Sequence, residues 1–131
     1  MRWLFSSPAR IDHDLVVDAI RKAEKGTSGE IRVLIARHRA ADPVAAARRH
    51  FKRLEMDKMP QRNSVLIFVA PRSRTFAIIG DQGVHEKCGD GFWTEVALAM
   101  GGRFKSGDFT AGLLHGIEKA GALLAEHFPR N

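Results

Sequence analysis

Ser64-Val65-Leu66-Ile67-Phe68-Val69-Ala70 holds seven consecutive positions without a charge, between Arg62-Asn63 on one side and Pro71-Arg72 on the other. Seven residues is strand length and too short for a buried helix. A strand apolar on both sides must be covered on both faces, so this run predicts the centre of a sheet with helices above and below it. Working toward the N-terminus, Glu30-Ile31-Arg32-Val33-Leu34-Ile35-Ala36 is a second β-branched run, bounded by Gly29 and the charged Arg37. Between the two lies Asp42-Pro43, an N-cap followed by proline at the first helical position, with Val44, Ala47, Phe51 and Leu54 recurring at helical spacing. A strand-helix-strand unit predicts parallel pairing through a right-handed crossover. The polar stretch Asp57 to Asn63 reads as a loop.

Toward the C-terminus, Pro71-Arg72-Ser73-Arg74 is a short polar turn, and Thr75 to Ile79 should fold back as an antiparallel hairpin strand. Asp12 is placed to cap a first helix through Leu15, Val16, Ala19, Ile20 and Ala23, ending at Lys25. Trp93, Val96, Ala97, Met100 and Phe104 form the apolar stripe of a third helix, and Asp108 caps a last one that ends at Pro129. Gly112, Gly116 and Gly121 inside that last helix each cost about 1 kcal/mol relative to alanine, which asks for close packing against another element. The glycine-rich stretch Gly80 to Gly91 reads as a long loop. The expected fold is therefore α/β: a three-layer α/β/α sandwich with a mixed, mostly parallel sheet plus an antiparallel hairpin strand. Residues 1–131 form one domain, with 1–10 a flexible N-terminal segment.

Composition limits function more than it defines it. With 44% hydrophobic and 27% charged residues the chain is an ordinary globular protein. The net charge of +6 attracts anions, and Arg37, Arg39, Arg48, Arg49, Lys52 and Arg53 would put a positive face on the second helix. That face suits anionic lipid or nucleic acid, although the absence of Tyr and the placement of most Phe residues on core stripes leave few stacking platforms, so nucleic acid is not expected. Cys88 is the single cysteine and rules out an internal disulfide, in keeping with a reducing, cytoplasmic setting. Met1 to Phe5 starts like a signal peptide but is interrupted by Ser6, Ser7, Pro8 and Arg10, and no run approaches the ~18 apolar residues of a membrane span. A soluble monomer with an unknown protein partner is the expectation.

The chemistry concentrates at strand ends. Gly-Asp-Gln-Gly-Val-His-Glu-Lys-Cys-Gly-Asp-Gly over 80–91 gathers Asp81, His85, Glu86, Cys88 and Asp90 after a strand, where α/β folds place ligands. Carboxylates there are the hard oxygen donors that calcium prefers, although the spacing is not that of a helix-loop-helix calcium loop. Asp81 as a simple turn cap is the plain alternative. His85 and Cys88 lack two further ligands for structural zinc, and Cys88 has Thr94 where a cysteine phosphatase needs arginine. Asp12-His13-Asp14 lacks the preceding buried strand that a phosphatase nucleophile requires. No phosphate loop, nucleophile elbow or nicotinamide fingerprint occurs.

Thr27-Ser28-Gly29-Glu30-Ile31, Arg62-Asn63-Ser64-Val65-Leu66-Ile67, Phe76 to Gly83 and Gly107-Asp108-Phe109 resemble, in order and interval, the TPM domain family, and Phe92-Trp93 with His127-Phe128-Pro129 resemble its bacterial stand-alone branch. The resemblance implies an α/β/α sandwich and two functions: phosphatase activity, as described for a chloroplast relative, or calcium binding without catalysis. It also implies that Glu30, Asn63 and Asp81 share a cleft. Glu30 and Asn63 precede parallel strands and Asp81 follows an antiparallel one, so all three should reach one rim of the sheet. The expected site is a divalent cation, calcium, held by Glu30, Asn63, Asp81, Glu86 and Asp90. The alternative is a metal-assisted phosphomonoesterase with Arg62 or Arg72 steadying the phosphoryl charge. Many members of the family carry a signal peptide and a membrane tail, neither of which is read in this sequence.

Overall fold

The structure, a computed structural model, describes residues 11–130. The elements run α1 (His13–Glu24), β1 (Glu30–Ile35), α2 (Pro43–Arg53), a 3-10 turn (Met56–Lys58), β2 (Ser64–Ala70), β3 (Thr75–Gly80), α3 (Gln82–Lys105) and α4 (Phe109–His127). The expected flexible segment at 1–10 lies outside the described residues.

The sheet has the order β1-β2-β3, with β1 and β2 parallel and β3 antiparallel to β2. All seven residues of β2 are buried, as its composition requires. Alternation along it divides the core. Val65, Ile67 and Val69 join Phe76, Ile78 and residues of α1, α3 and α4 in one cluster, whereas Leu66, Phe68 and Ala70 join Ala77 and Ala46, Ala47 and Phe51 of α2 in the other. One helix covers one face and three cover the other, giving the expected α/β/α sandwich.

The caps read from sequence are in place: Asp12 accepts from Leu15 N, Asp42 from Ala45 N and Asp108 from Ala111 N. The expected long loop at 80–91 is corrected. Helix begins at Gln82 with Asp81 as its N-cap, and Val84 is fully buried on it. Val84 and Cys88, one helical turn apart, both pack on the α4-side core, so burial carries the helix through residues whose glycines suggest a loop. The helix breaks only at Gly89, whose φ of 68° and ψ of −171° lie in a region that is essentially glycine's own.

The glycines of α4 are packing residues. A Cβ on Gly112 would lie 2.6 Å from Phe104 Cε1, on Gly116 2.7 Å from Met100 Sδ and on Gly121 2.8 Å from Ala23 Cβ. The first two sit against α3 and the third against α1. Ala23 has no flexible end to move aside, so Gly121→Ala is expected to destabilise the fold by about 1–3 kcal/mol in chemical denaturation. Gly102→Ala, whose Cβ would meet nothing within 4 Å, should instead stabilise α3 by ~0.4–1 kcal/mol.

On the α2 face, the His50 ring stacks on Phe68 at 5.5 Å between centroids and accepts at Nδ1 from Arg53 Nη2 at 2.8 Å. Because arginine can only donate, this contact fixes the neutral Nε2–H tautomer. Burial, then the charges of Arg53 and Arg49, hold the imidazole below its ordinary 6.5. The unfolded chain takes up this proton at a higher pH than the native state, so His50's contribution is complete above about 6.5 and is lost as pH falls toward the native midpoint. An NMR titration should place that midpoint below 6.5, and Arg53→Gln should raise it.

Candidate functional site at the sheet rim

The strand register brings the polar strand ends together. Glu30 is level with Ser64 across β1 and β2, Val65 is level with Gly80 across β2 and β3, and Asp81 N continues the ladder to Ser64 O at 2.9 Å. Glu30, Asn63 and Asp81 therefore lie at one rim. Arg72 follows the far end of β2, roughly 20 Å away at strand rise, so it is removed as a partner for this rim. Glu86 is carried off along α3, about 7 Å from Asp81 at helical rise, and Asp90 lies further along, beyond the break at Gly89. Glu86 is exposed and accepts from Gln82 Nε2 at 3.2 Å. Among the described residues, no three His, Cys, Asp or Glu side chains form a group able to hold a metal ion.

The motif around Glu30 has a physical role at each position. Thr27 is fully buried, and its hydroxyl donates to the carbonyls of Leu124 and Phe128, tying the end of α4 to the entry of β1. Ser28 Oγ accepts from Gln61 Nε2 and from Asn63 Nδ2, both at 3.2 Å. Gly29 leaves room for the Asn63 carbonyl, which a Cβ would approach to 2.8 Å. Glu30 Oε1 then accepts from Ser64 Oγ at 3.4 Å, and its Oε2 is paired with Arg32 at 3.0 Å.

Asn63 is 1% exposed, and its Oδ1 has no hydrogen-bond partner among the described residues. Turning the amide over would move the orphan to nitrogen without removing it. A buried carbonyl oxygen left unpaired costs about 1–3 kcal/mol, which marks this atom as a place where a ligand would be welcome.

Asp81, 7% exposed, accepts a two-pronged ion pair from Arg62, Nε to Oδ2 at 2.7 Å and Nη2 to Oδ1 at 2.9 Å. The carboxylate raises the already high pKa of Arg62. Arg62 itself sits at φ 52°, a left-handed conformation uncommon for a residue with a side chain. Its carbonyl accepts from Gly83 N at 2.9 Å. The first turn of α3 thus lies directly on the 61–62 backbone, and only glycine at 83 permits it: a Cβ there would come within 2.7 Å of Arg62 O and closer still to Gln61 O.

Asp57 belongs to the same region and was not found from sequence. A depression of about 220 Å³ is lined by Asp57 and Asp81 together with Arg48, Lys52 and Arg62. Asp57 Oδ2 pairs with Lys52 at 2.9 Å, a contact that holds its carboxyl below the usual range, while Oδ1 is buried with no partner among the described residues. The available signal was Asp57 five residues after Lys52, just beyond a helix end, but nothing in that spacing tells that the turn Met56–Lys58 folds back toward β3.

This α/β/α architecture, with its polar groups gathered at one rim, is matched by a family model described as the TPM domain over residues 9–123, and the chain belongs to that family. Its fold is similar to that of the BA42 protein from Bizionia argentinensis, with 43% identity, a TM-score of 0.82 and coverage of 92% of this chain and 86% of that one. The N-terminal domain of a protein from P. gingivalis aligns at 15% identity and TM-score 0.70 over 90% of this chain and 78% of that one. The N-terminal domain of the cg2496 protein from Corynebacterium glutamicum aligns at 16% identity and TM-score 0.65, covering 85% and 70% respectively. These last two share the fold alone. None of the curated proteins matches this chain. Among the described residues, no helix is long and apolar enough to cross a membrane.

Gly83→Ala is expected to cost about 1–3 kcal/mol, because the obstructing atoms are backbone carbonyls that cannot turn aside. Thermal unfolding with amide-exchange readout should show the loss, with residues 61–63 deprotected before the strands.

Proposed function

We propose that the rim is a regulatory divalent-cation site without catalysis, calcium being the ion its oxygen donors suit best. The observation that carries this reading is the orphaned Asn63 Oδ1, a buried amide oxygen on the residue that leads into β2, whose first residue Ser64 is level with Glu30. Amide and carboxylate oxygens are what calcium takes, in sets of six to eight that water and backbone carbonyls help to complete. Glu30, Asn63 and Asp81 would hold the ion. Glu86 and Asp90, further along α3, would act at most through intervening water.

Both rim carboxylates are already neutralised by arginines, Asp81 by Arg62 and Glu30 by Arg32. A cation at the rim would have to displace the Arg62 guanidinium, which makes calcium and Arg62 competitors for one carboxylate. Release of Arg62 would in turn free the 59–62 turn, whose left-handed backbone is held by that same pair and by Gly83. Competition of this kind places the affinity toward the weak end, at dissociation constants of roughly 10⁻⁴–10⁻³ M. The phosphomonoesterase alternative is weaker, since Arg72 lies at the opposite end of the sheet and Arg62 is engaged.

A calcium chloride titration into the low millimolar range, followed by backbone amide shifts, is expected to move Gly29, Glu30, Asn63, Ser64 and Asp81 together. Arg62→Ala should tighten binding several-fold by removing the competing cation. Unmoved amides at Glu30 and Asn63, or weaker binding in the Arg62 variant, would sink the reading.

A further inference from the structure

A second and larger concavity lies outside the rim. It is a groove of about 880 Å³ along β3, and it runs up to Gly80. Because β3 is an outer strand of the sheet and α2 and α3 belong to opposite helical layers, the groove wraps an edge with no strand partner among the described residues. Phe76 and Ile78 contribute from the α3 side of the sheet and Ile79 from the α2 side. Trp93 and Ala97 of α3 complete the apolar wall. Leu98 is 75% exposed and Val44 37% exposed at its lips, apolar area whose removal from water would favour a ligand that covers it.

The charges at the groove are one-sided. Arg48 of α2 and Lys105 of α3 line it, with the His85 ring beside them, and among the residues whose side chains are described no Asp or Glu does. Neither Arg48 nor Lys105 forms an ion pair among the described residues. The volume is that of a pocket for one small molecule, mostly apolar with a few polar groups that set orientation. A second copy of the chain fits poorly: a two-fold contact sets like patch on like patch, bringing unpaired cations of two +6 chains together.

We propose that this groove binds a single-chain anionic amphiphile, its alkyl tail along Phe76, Ile78, Trp93 and Leu98 and its carboxylate drawn to Arg48 and Lys105. Nothing in this requires the rim cation, so the two sites stand or fall separately. The cationic lips select against a neutral or positively charged head on the same tail.

The experiment uses the intact chain and three probes of equal tail length, dodecanoate and dodecyltrimethylammonium below their micelle concentrations and dodecanol below its solubility limit. Amide shifts and native mass spectrometry are the readouts. Dodecanoate should bind saturably at one equivalent, shifting Phe76 to Gly80 and Trp93 to Lys105, and at least tenfold more tightly than the other two. Arg48→Glu with Lys105→Glu should abolish that preference, and the folded spectrum of this surface variant keeps the comparison valid. Equal binding of all three probes, or no saturable shift with any, overturns the proposal. So does a dimer in sedimentation that Leu98→Glu dissolves, which gives the face to a second copy. So does binding of an acetylated Glu-Val-Ile-Val-Glu peptide along β3 where dodecanoate leaves it unmoved, which gives the edge to an added strand.

Discussion

β2 is buried on both faces along its whole length, and that constraint organises the molecule. A strand with no solvent-facing side can carry no charge along its length, so helices must close over both faces and polar chemistry is driven to the strand ends. Parallel pairing with β1 and antiparallel pairing with β3 then decide which ends meet. Two strand starts and one strand finish come to the same rim, while the β2–β3 turn, with Arg72 and Arg74, goes to the opposite one. The rim is thus a product of strand direction before any side chain is chosen for function.

How the rim is held follows from the cost of burying charge. Asp81 is nearly buried, and an unpaired carboxylate there would be expensive. It has three donors: both prongs of Arg62 and the backbone of Gln82. Arg62 in return keeps more than two fifths of its side chain exposed, so the pair gains little from low dielectric and matters mainly as geometry. It fixes the 61–63 backbone against the first turn of α3, with Gly83 as the point of contact. Asn63 is held on one side by Ser28 and left open on the other, the inverse arrangement, in which one polar atom is positioned and not satisfied.

Much of this was legible beforehand, and the reasons are particular. Asp12, Asp42 and Asp108 announce helix starts because each precedes an apolar period of 3.6, and the run 64–70 announces a central strand because no position in it tolerates water. The rim could be argued from strand direction alone. What misled was the glycine content of 80–91. Gly80 ends a strand, Gly83 serves a close approach and Gly89 breaks the helix, three local demands that together imitate a loop, while Val84 and Cys88 continue the helical stripe. Glu86 and Asp90 were attached to the rim because of that reading, and a helix carries them away from it. Asp57 and the groove beside β3 were not legible at all. The first depends on how a 3-10 turn folds back, and the second on how far two helices of different layers overhang a strand edge, neither of which leaves a trace in local spacing.

The rim and the groove are neighbours, and their proximity has a thermodynamic consequence if both are occupied. Arg48, Ile79 and Gly80 line the groove and also the depression that contains Asp57 and Asp81. In that depression three cations face two carboxylates, so an incoming metal ion meets a net repulsion to which Arg48 contributes. An anion settled against Arg48 would offset part of that charge, an effect that falls off over the roughly 8 Å screening length of physiological salt. Each ligand would then favour the other, and by linkage the gain must be the same in both directions. The sign is set by charge alone: an anion beside β3 and a cation at the rim are cooperative partners, whereas two ligands of like sign would compete through the same arginine.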